Sequence, residues 1–136
     1  MMQHIFNIGP WDAFRTNLDA SDASAVTKNS KLPGIHNGEA DAFRHCYWSC
    51  IMTIRMGEAQ AKSVGDTHEE YAKNTQPKNE EIMDLHNNEQ GRKCGLLSKS
   101  KDECNKGCIS KLDSGDLWYI DKETNMLKTK MDIFIP

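Results

Sequence analysis

The sequence contains no apolar run long enough to cross a bilayer. Its longest apolar stretches, such as Ile51 to Ile54, are broken by polar residues within a few positions, against the roughly 20 residues a spanning helix needs. The opening Met1 to Ile8 has no basic start, apolar centre or small-residue cleavage site, so no secretory signal is expected, and export would be carried by something else. Positive charge is not in excess: 17 Lys and Arg stand against 20 Asp and Glu, for a net charge of −3 and a pI near 5.9. A broad electrostatic pull toward nucleic acid is therefore missing, because sequence-independent affinity for a phosphate backbone comes mainly from Lys and Arg. Internal repeats and low-complexity tracts are absent as well.

What is present fits one domain. A chain of 136 residues closes a single core and is short for two. Residues 1–136 are thus expected to form one unit, with a helical core over about 9–113 and a small hairpin over about 116–131. Arg92, Lys93, Lys99, Lys101, Lys106 and Lys111 crowd into a short stretch. They make a locally basic face or, more commonly for a charge run, a solvated surface.

Five cysteines are many for a cytosolic chain of this size and favour an oxidising destination, with an odd one left over. Cys46 and Cys50 are four apart, as are Cys104 and Cys108; on helices, each spacing puts both sulfurs on one face. Two antiparallel helices could then be stapled Cys46 to Cys108 and Cys50 to Cys104. Buried reduced thiols are the alternative, and zinc is a weaker one, since C-x-x-x-C is not the tight C-x-x-C knuckle.

Periodicity predicts a compact bundle of four to five helices. Helix one follows Gly9-Pro10, with Trp11, Phe14, Leu18, Ala25 and Val26 at helical spacing and Asp12 near the positive N-terminus. Lys28 to Gly38 collects turn-forming residues and reads as a loop. Helix two runs from Glu39 to a stop at Gly57, with Ala40, Phe43, Tyr47, Ile51 and Ile54 as its apolar stripe. Helix three covers Glu58 to Tyr71, with Ala61, Val64, His68 and Tyr71 on one side, and Asn79 to Gln90 forms helix four, closed by Gly91. Asp102 to Leu112 supports a fifth helix after a Gly95 to Lys101 loop. Leu117 to Asp121 and Met126 to Lys130 read as two short strands around a turn, a hairpin that must pack on the helices to be stable.

Chemically capable residues interrupt the most regular helices. Asp41 and His45, four apart and therefore on one face, suit a hydrogen-bonded acid and base or two metal ligands, with Arg44 beside them. Asp66, His68 and Glu69 form a second group; Asp84, His86, Asn87 and Asn88, ahead of Gly91 and Arg92, form a third. Three segments able to aim carboxylate, imidazole and amide groups at one centre are what a metal site or an acid-base site needs. The plainer alternative is that Asp84 and the asparagines build caps and interhelical hydrogen bonds, and that His45 is a structural imidazole at the core edge.

Together HNGEADAFRHCYW, DTHEEY and MDLHNNEQGRKCG resemble a toxin- or effector-associated bacterial domain with the recurrent pattern D-A-x-R-H-x-x-W, H-E and M-D-x-x-N-N-x-x-G-R. The resemblance spans about Pro33 to Gly95, extends to the late SGDLWYI, and includes modules at the ends of secreted or toxin-like proteins. It implies Asp41, Arg44, His45 and Trp48, then His68 and Glu69, then Asp84, Asn87, Asn88, Gly91 and Arg92 as site residues. The cysteines lie outside this pattern and look like an adaptation to the periplasm.

The expected function is a secreted or delivered antibacterial hydrolase acting in the target's periplasm on a phosphoester or lipid-linked pyrophosphate. Asp41, His45, His68 or Asp84 would hold a divalent ion or position water, His45 would serve as general base, and Arg44 or Arg92 would face an anionic transition state. Peptidoglycan cleavage by paired carboxylates, Glu39 with Asp41 or Glu69 with Asp84, is a second option. Cys46 acting as nucleophile with His68 as its base ranks below both, because a staple explains the same cysteine. A binding module without catalysis, an inhibitor or adaptor, is the remaining class. An envelope lipid or cell-wall substrate and a cognate immunity protein are the expected partners, with His86 and Trp48 as supporting side chains.

Overall fold

The structure, a computed structural model, describes residues 9–72 and 75–136, without the side chains of residues 9–14 and 72. Five helices occur among them: α1 (Gly9–Ser30), α2 (Glu39–Met56), α3 (Glu58–Ala72), α4 (Lys78–Leu97) and α5 (Lys101–Asp113). Two short antiparallel strands follow, β1 (Tyr119–Ile120) and β2 (Leu127–Lys128), with Ile120 opposite Leu127. The protein is mainly helical with a small C-terminal hairpin, as periodicity predicts. The signal-sequence expectation for Met1 to Ile8 and the contributions of Trp11, Asp12 and Phe14 fall outside what is described.

The bundle is built around α2. Every residue from Ala40 to Thr53 except Arg44 is buried, which the near-absence of long polar side chains in this stretch allows. Phe43, Tyr47, Trp48, Ile51 and Met52 form its core with Ala23 of α1, Ala61 and Val64 of α3 and Leu112 of α5. Ile54, expected on the same stripe, is exposed. An ion pair from Arg55 to the buried Asp19, 2.6 Å at its shorter contact, ties α2 to α1.

The cysteines close as the spacing suggested. Cys46 is joined to Cys108 and Cys50 to Cys104, with Cα separations of 5.9 and 5.8 Å, and Cys94 is left free and buried.

Expected boundaries move at two helix ends: α1 runs through Lys28 to Ser30, so the loop expected from Lys28 starts later, and α4 outruns Gly91. Gly91 does not end helix four; α4 runs on to Leu97, so the loop expected over Gly95 to Lys101 shrinks to residues 98–100. The glycine serves close packing instead. A Cβ there would collide with the Cys46 carbonyl oxygen and lie 2.7 Å from the Ser49 Cβ, so its lack of a side chain lets α4 lie against α2.

The hairpin is shorter than the expected strands and depends on α4. Asn87 holds Trp118 through both ends of its amide, accepting from Trp118 N at 2.9 Å and donating to Trp118 O at 2.8 Å. Ile120 N also donates to Asn37 O at 2.8 Å.

Candidate functional site

The first residue to be placed is Asp41. Ahead of α2, the tight turn Pro33 to Gly38 folds back so that Ala40 N donates to Pro33 O at 2.8 Å and Asp41 N to Gly34 O at 3.2 Å. Asn37 N then donates to Asp41 Oδ2 at 2.8 Å, while Arg44 NH2 donates to Asp41 Oδ1 at the same distance. The carboxylate is thus fixed from two sides before His45 is considered. Burial disfavours its charge, but the hydrogen bond and charge of His45, the Asn37 amide and Arg44 outweigh it and hold the carboxyl well below the usual carboxylate range.

His45 lies one turn further on. Its Nδ1 is 3.0 Å from Asp41 O and 3.2 Å from Asp41 Oδ1. Both are acceptors, so Nδ1 carries the proton and the working atom is Nε2. That nitrogen faces Asp84 Oδ1 at 3.4 Å and Glu69 Oε2 at 3.7 Å. Burial alone would depress the imidazole, but the bond to Asp41 and the charges of Asp84 and Asp41 push its pKa up to about 9. The carboxylates around His45 thus favour its protonated form, and service as a general base requires that proton to leave first.

Glu69 and Asp84 come from different helices, α3 and α4, and meet at this nitrogen. Burial and the neighbouring Asp84 push Glu69 up to about 7, against the charge of His45 and a hydrogen bond donated by Asn88 Nδ2 at 3.2 Å. Asp84 is raised too, by burial first and by the charge of Asp41, although Gln76 Nε2 donates to its Oδ2 at 2.9 Å. Its other oxygen, Oδ1, is buried with no hydrogen-bond partner among the described residues. Gln76 and Asn37 are the members of the site that sequence reasoning missed; beside Pro77 and within a turn, they read only as loop residues.

Neutral His45 would turn an Nε2 lone pair toward these two carboxylates. Three electron-pair donors converging in a buried place need a positive species between them, a proton or a metal ion. In a tetrahedral site with bonds of about 2.0–2.1 Å, neighbouring ligand atoms stand roughly 3.3 Å apart, close to the 3.4 and 3.7 Å seen here. His45, His68 and Glu69 offer ligand atoms within 4.8 Å of one another, and so do Asp41, His45 and Asp84. The two groups share His45, and Asp41 engages its Nδ1 while Glu69 and Asp84 face its Nε2. Burial and the charges of His45 and Arg44 lower the His68 pKa, leaving that imidazole neutral and able to ligate.

Other nominated residues fall into different roles. Trp48 packs edge-on to His68, with ring centroids 5.4 Å apart. Asn88 serves the site through Glu69, whereas Asn87 serves the hairpin. His86 stacks on Trp118 at 3.5 Å and engages Asp116 O rather than the His45 cluster. Glu39 pairs with Lys130 at 3.5 Å rather than with Asp41, so of the two proposed carboxylate pairs only Glu69 with Asp84 is assembled. Cys46 is tied up in a disulfide, which removes it as a nucleophile in this state. Arg92 shares an acidic groove with Glu69, Asp66, Glu70, Glu81 and Glu89. The basic run does not gather into a free face: Lys93, Lys101 and Lys106 pair with Glu89, Asp22 and Asp102.

Residues 3–116 match the model of a family described as Domain of unknown function (DUF6973), and the chain belongs to that family. No solved structure matches it.

Proposed function

We propose that this member of the DUF6973 family is a divalent-metal-assisted hydrolase of phosphoesters or pyrophosphates, lipid-linked ones included. The observation that carries the reading is the convergence of His45 Nε2, Glu69 Oε2 and Asp84 Oδ1 in one buried place. His45, His68, Glu69 and Asp84 would hold the ion, a mixed imidazole and carboxylate set that suits zinc, manganese or iron. Once bound, such an ion polarises a phosphoryl oxygen and makes a bound water nucleophilic near neutral pH.

The chain's own groups then have separable tasks. Asp41 holds His45 in the Nδ1–H tautomer and keeps its ring edge on the centre. Asn88 and Gln76 orient the two carboxylates. Arg44, partly exposed beside His45, has N–H groups beyond the one on Asp41 with which to meet an anionic substrate oxygen. Arg92 sits on the opposite, acidic side of Glu69, which favours Arg44 for this task.

A second reading is supported by the pKa of Glu69, near 7 beside Asp84. With both carboxyls raised by burial, one protonated and the other ionised would act as acid and base on a glycan, without metal. Delivery to a target periplasm as an antibacterial toxin, with an immunity protein as partner, is supported by the paired cysteines, since such bonds persist in oxidising compartments.

The deciding experiment measures hydrolysis of bis(p-nitrophenyl) phosphate and inorganic pyrophosphate by metal-stripped protein, before and after adding Zn2+ or Mn2+, beside His45→Gln and Asp84→Asn. Activity restored by metal and lost in both variants is expected. Full activity after chelation transfers the case to the acid-base reading, tested on peptidoglycan. Folded variants that keep full hydrolysis would remove His45 and Asp84 from the site, and folded variants that keep full toxicity with no hydrolysis in any form would leave a binding module.

A further inference from the structure

Beside the reaction centre, α1, α2 and α3 enclose a cleft of about 370 Å3, within the range of about 300–1,000 Å3 usual for small-molecule sites. Its walls are mainly apolar: Ala20 and Ala23 from α1, Trp48 from α2, Val64 and Tyr71 from α3. Its polar lining includes Arg44, His45 and His68, together with Thr16, Asn17 and Thr67. The cleft therefore joins a hydrocarbon-lined space directly to a cationic side chain and to the imidazoles of the proposed centre.

This two-part lining matches one ligand chemistry. We infer that the cleft receives the hydrocarbon chain of a phosphate-headed amphiphile, with its anionic head at Arg44 and the His45 centre. The inference rests on the hydrolytic reading for its head-group end and narrows the substrate class to one bearing a chain. A chain would cover the exposed Ala20 and Tyr71 and fill the space beside the already buried Val64 and Trp48, which a small soluble phosphoester would leave empty.

Alkylphosphonates test this, because their carbon–phosphorus bond is not the phosphoester bond of the proposed reaction. Methyl-, octyl- and dodecylphosphonate, below their micelle concentrations, are titrated into the full oxidised chain by calorimetry. Affinity should rise about fourfold for each methylene that the cleft can bury, then level off. Ala20→Trp, which fills the cleft from α1, should flatten that series, and Val64→Thr, which is close to isosteric, should weaken it if the tryptophan variant fails to fold. Equal affinity for all three lengths in the native chain, or a slope unchanged in a folded variant, overturns the inference.

Competition against dodecylphosphonate then identifies the source of the chain. Displacement by a monoacylglycerol phosphate points to membrane phospholipid, displacement by farnesyl pyrophosphate points to a prenyl carrier, and displacement by neither overturns the assignment. The two proposals fail separately. Chain-length-dependent binding without phosphoester hydrolysis retains the cleft and removes the enzymatic reading; hydrolysis with a flat chain-length series does the reverse.

Discussion

Asp41 and His45 stand one turn apart on α2, with the Asp41 Oδ1 carboxylate oxygen 3.2 Å from the imidazole Nδ1, so the opposite ring nitrogen is aimed at Glu69 and Asp84. Asp41→Asn preserves the shape and removes the charge. It should reduce metal affinity or turnover by about 10- to 100-fold, the usual cost of losing a carboxylate behind a ligating histidine. Calorimetric metal titration and the His45 imidazole resonances check this together: the imidazole pKa should fall from about 9 toward its ordinary value, and metal binding equal to native would reduce Asp41 to a helix cap.

The pH dependence of the metal-free protein follows from His45 and Glu69. His45 is raised from 6.5 to about 9, so its stabilising contribution is complete below 6.5 and is lost as pH climbs through 9. Glu69 is raised from 4.5 to about 7 and acts in the same direction: its neutral form is favoured on folding, and ionisation through 7 removes stability. Asp41 is depressed, so its contribution is present above 3.8 and disappears only in strong acid. Urea melts from pH 5 to 9 should show falling stability, and His45→Gln should remove most of the loss above pH 7. A flat profile would contradict the assigned charge states.

Metal binding should show the opposite slope. A ligand set that must shed protons from His45 and Glu69 binds more tightly as pH rises, up to about tenfold per unit for each proton released. Proton release measured in two buffers of different ionisation enthalpy is the direct readout, and binding without release would place the ion elsewhere.

The two disulfides are nested, because Cys50–Cys104 lies inside the loop closed by Cys46–Cys108. Once one is formed, the other closes only about ten further residues. Removing either alone should therefore cost about 3 kcal/mol, and removing both about 7 kcal/mol, on a loop-entropy basis. Thermal melts of the Cys50→Ser/Cys104→Ser double variant and of the reduced chain test this; peptide mapping should recover Cys94 as the single free thiol.

At the α2–α4 contact, Gly91→Ala gains about 1 kcal/mol of helix propensity. The added methyl meets the Cys46 carbonyl, which belongs to backbone and cannot rotate away. The net result should be a loss of about 1–3 kcal/mol, read as a lower melting temperature; unchanged stability would show that the helices can separate freely.

Helix periodicity made most of the fold legible. The α2 stripe and the α5 span needed only the 3.6-residue turn; the same turn offered the Cys46–Cys108 and Cys50–Cys104 staple as one of several readings, which needed the two helices to lie antiparallel. Gly91 misled because a glycine that ends a helix and one that admits a neighbouring helix look alike until the neighbour is in place. The grouping of His45, Glu69 and Asp84 was visible as three polar interruptions of apolar helices. The roles within it were not, because the high pKa of His45 depends on Asp84 as well as on Asp41 one turn away, and only folding brings Asp84 near. Gln76 carried no signal of its own, and the apolar cleft needs Ala20 and Ala23 of α1, ordinary helix-forming residues, to be set against Trp48.

Asn87 and Asn88 are consecutive, so their side chains leave α4 about 100° apart: one clasps Trp118 at both ends of its amide, the other touches Glu69. Turning α4 about its axis far enough to carry Asn88 off Glu69 would first have to tear both bonds to Trp118. The hairpin is thereby a rotational lock, and the aim of a carboxylate in the interior depends on a ribbon at the far end of the chain.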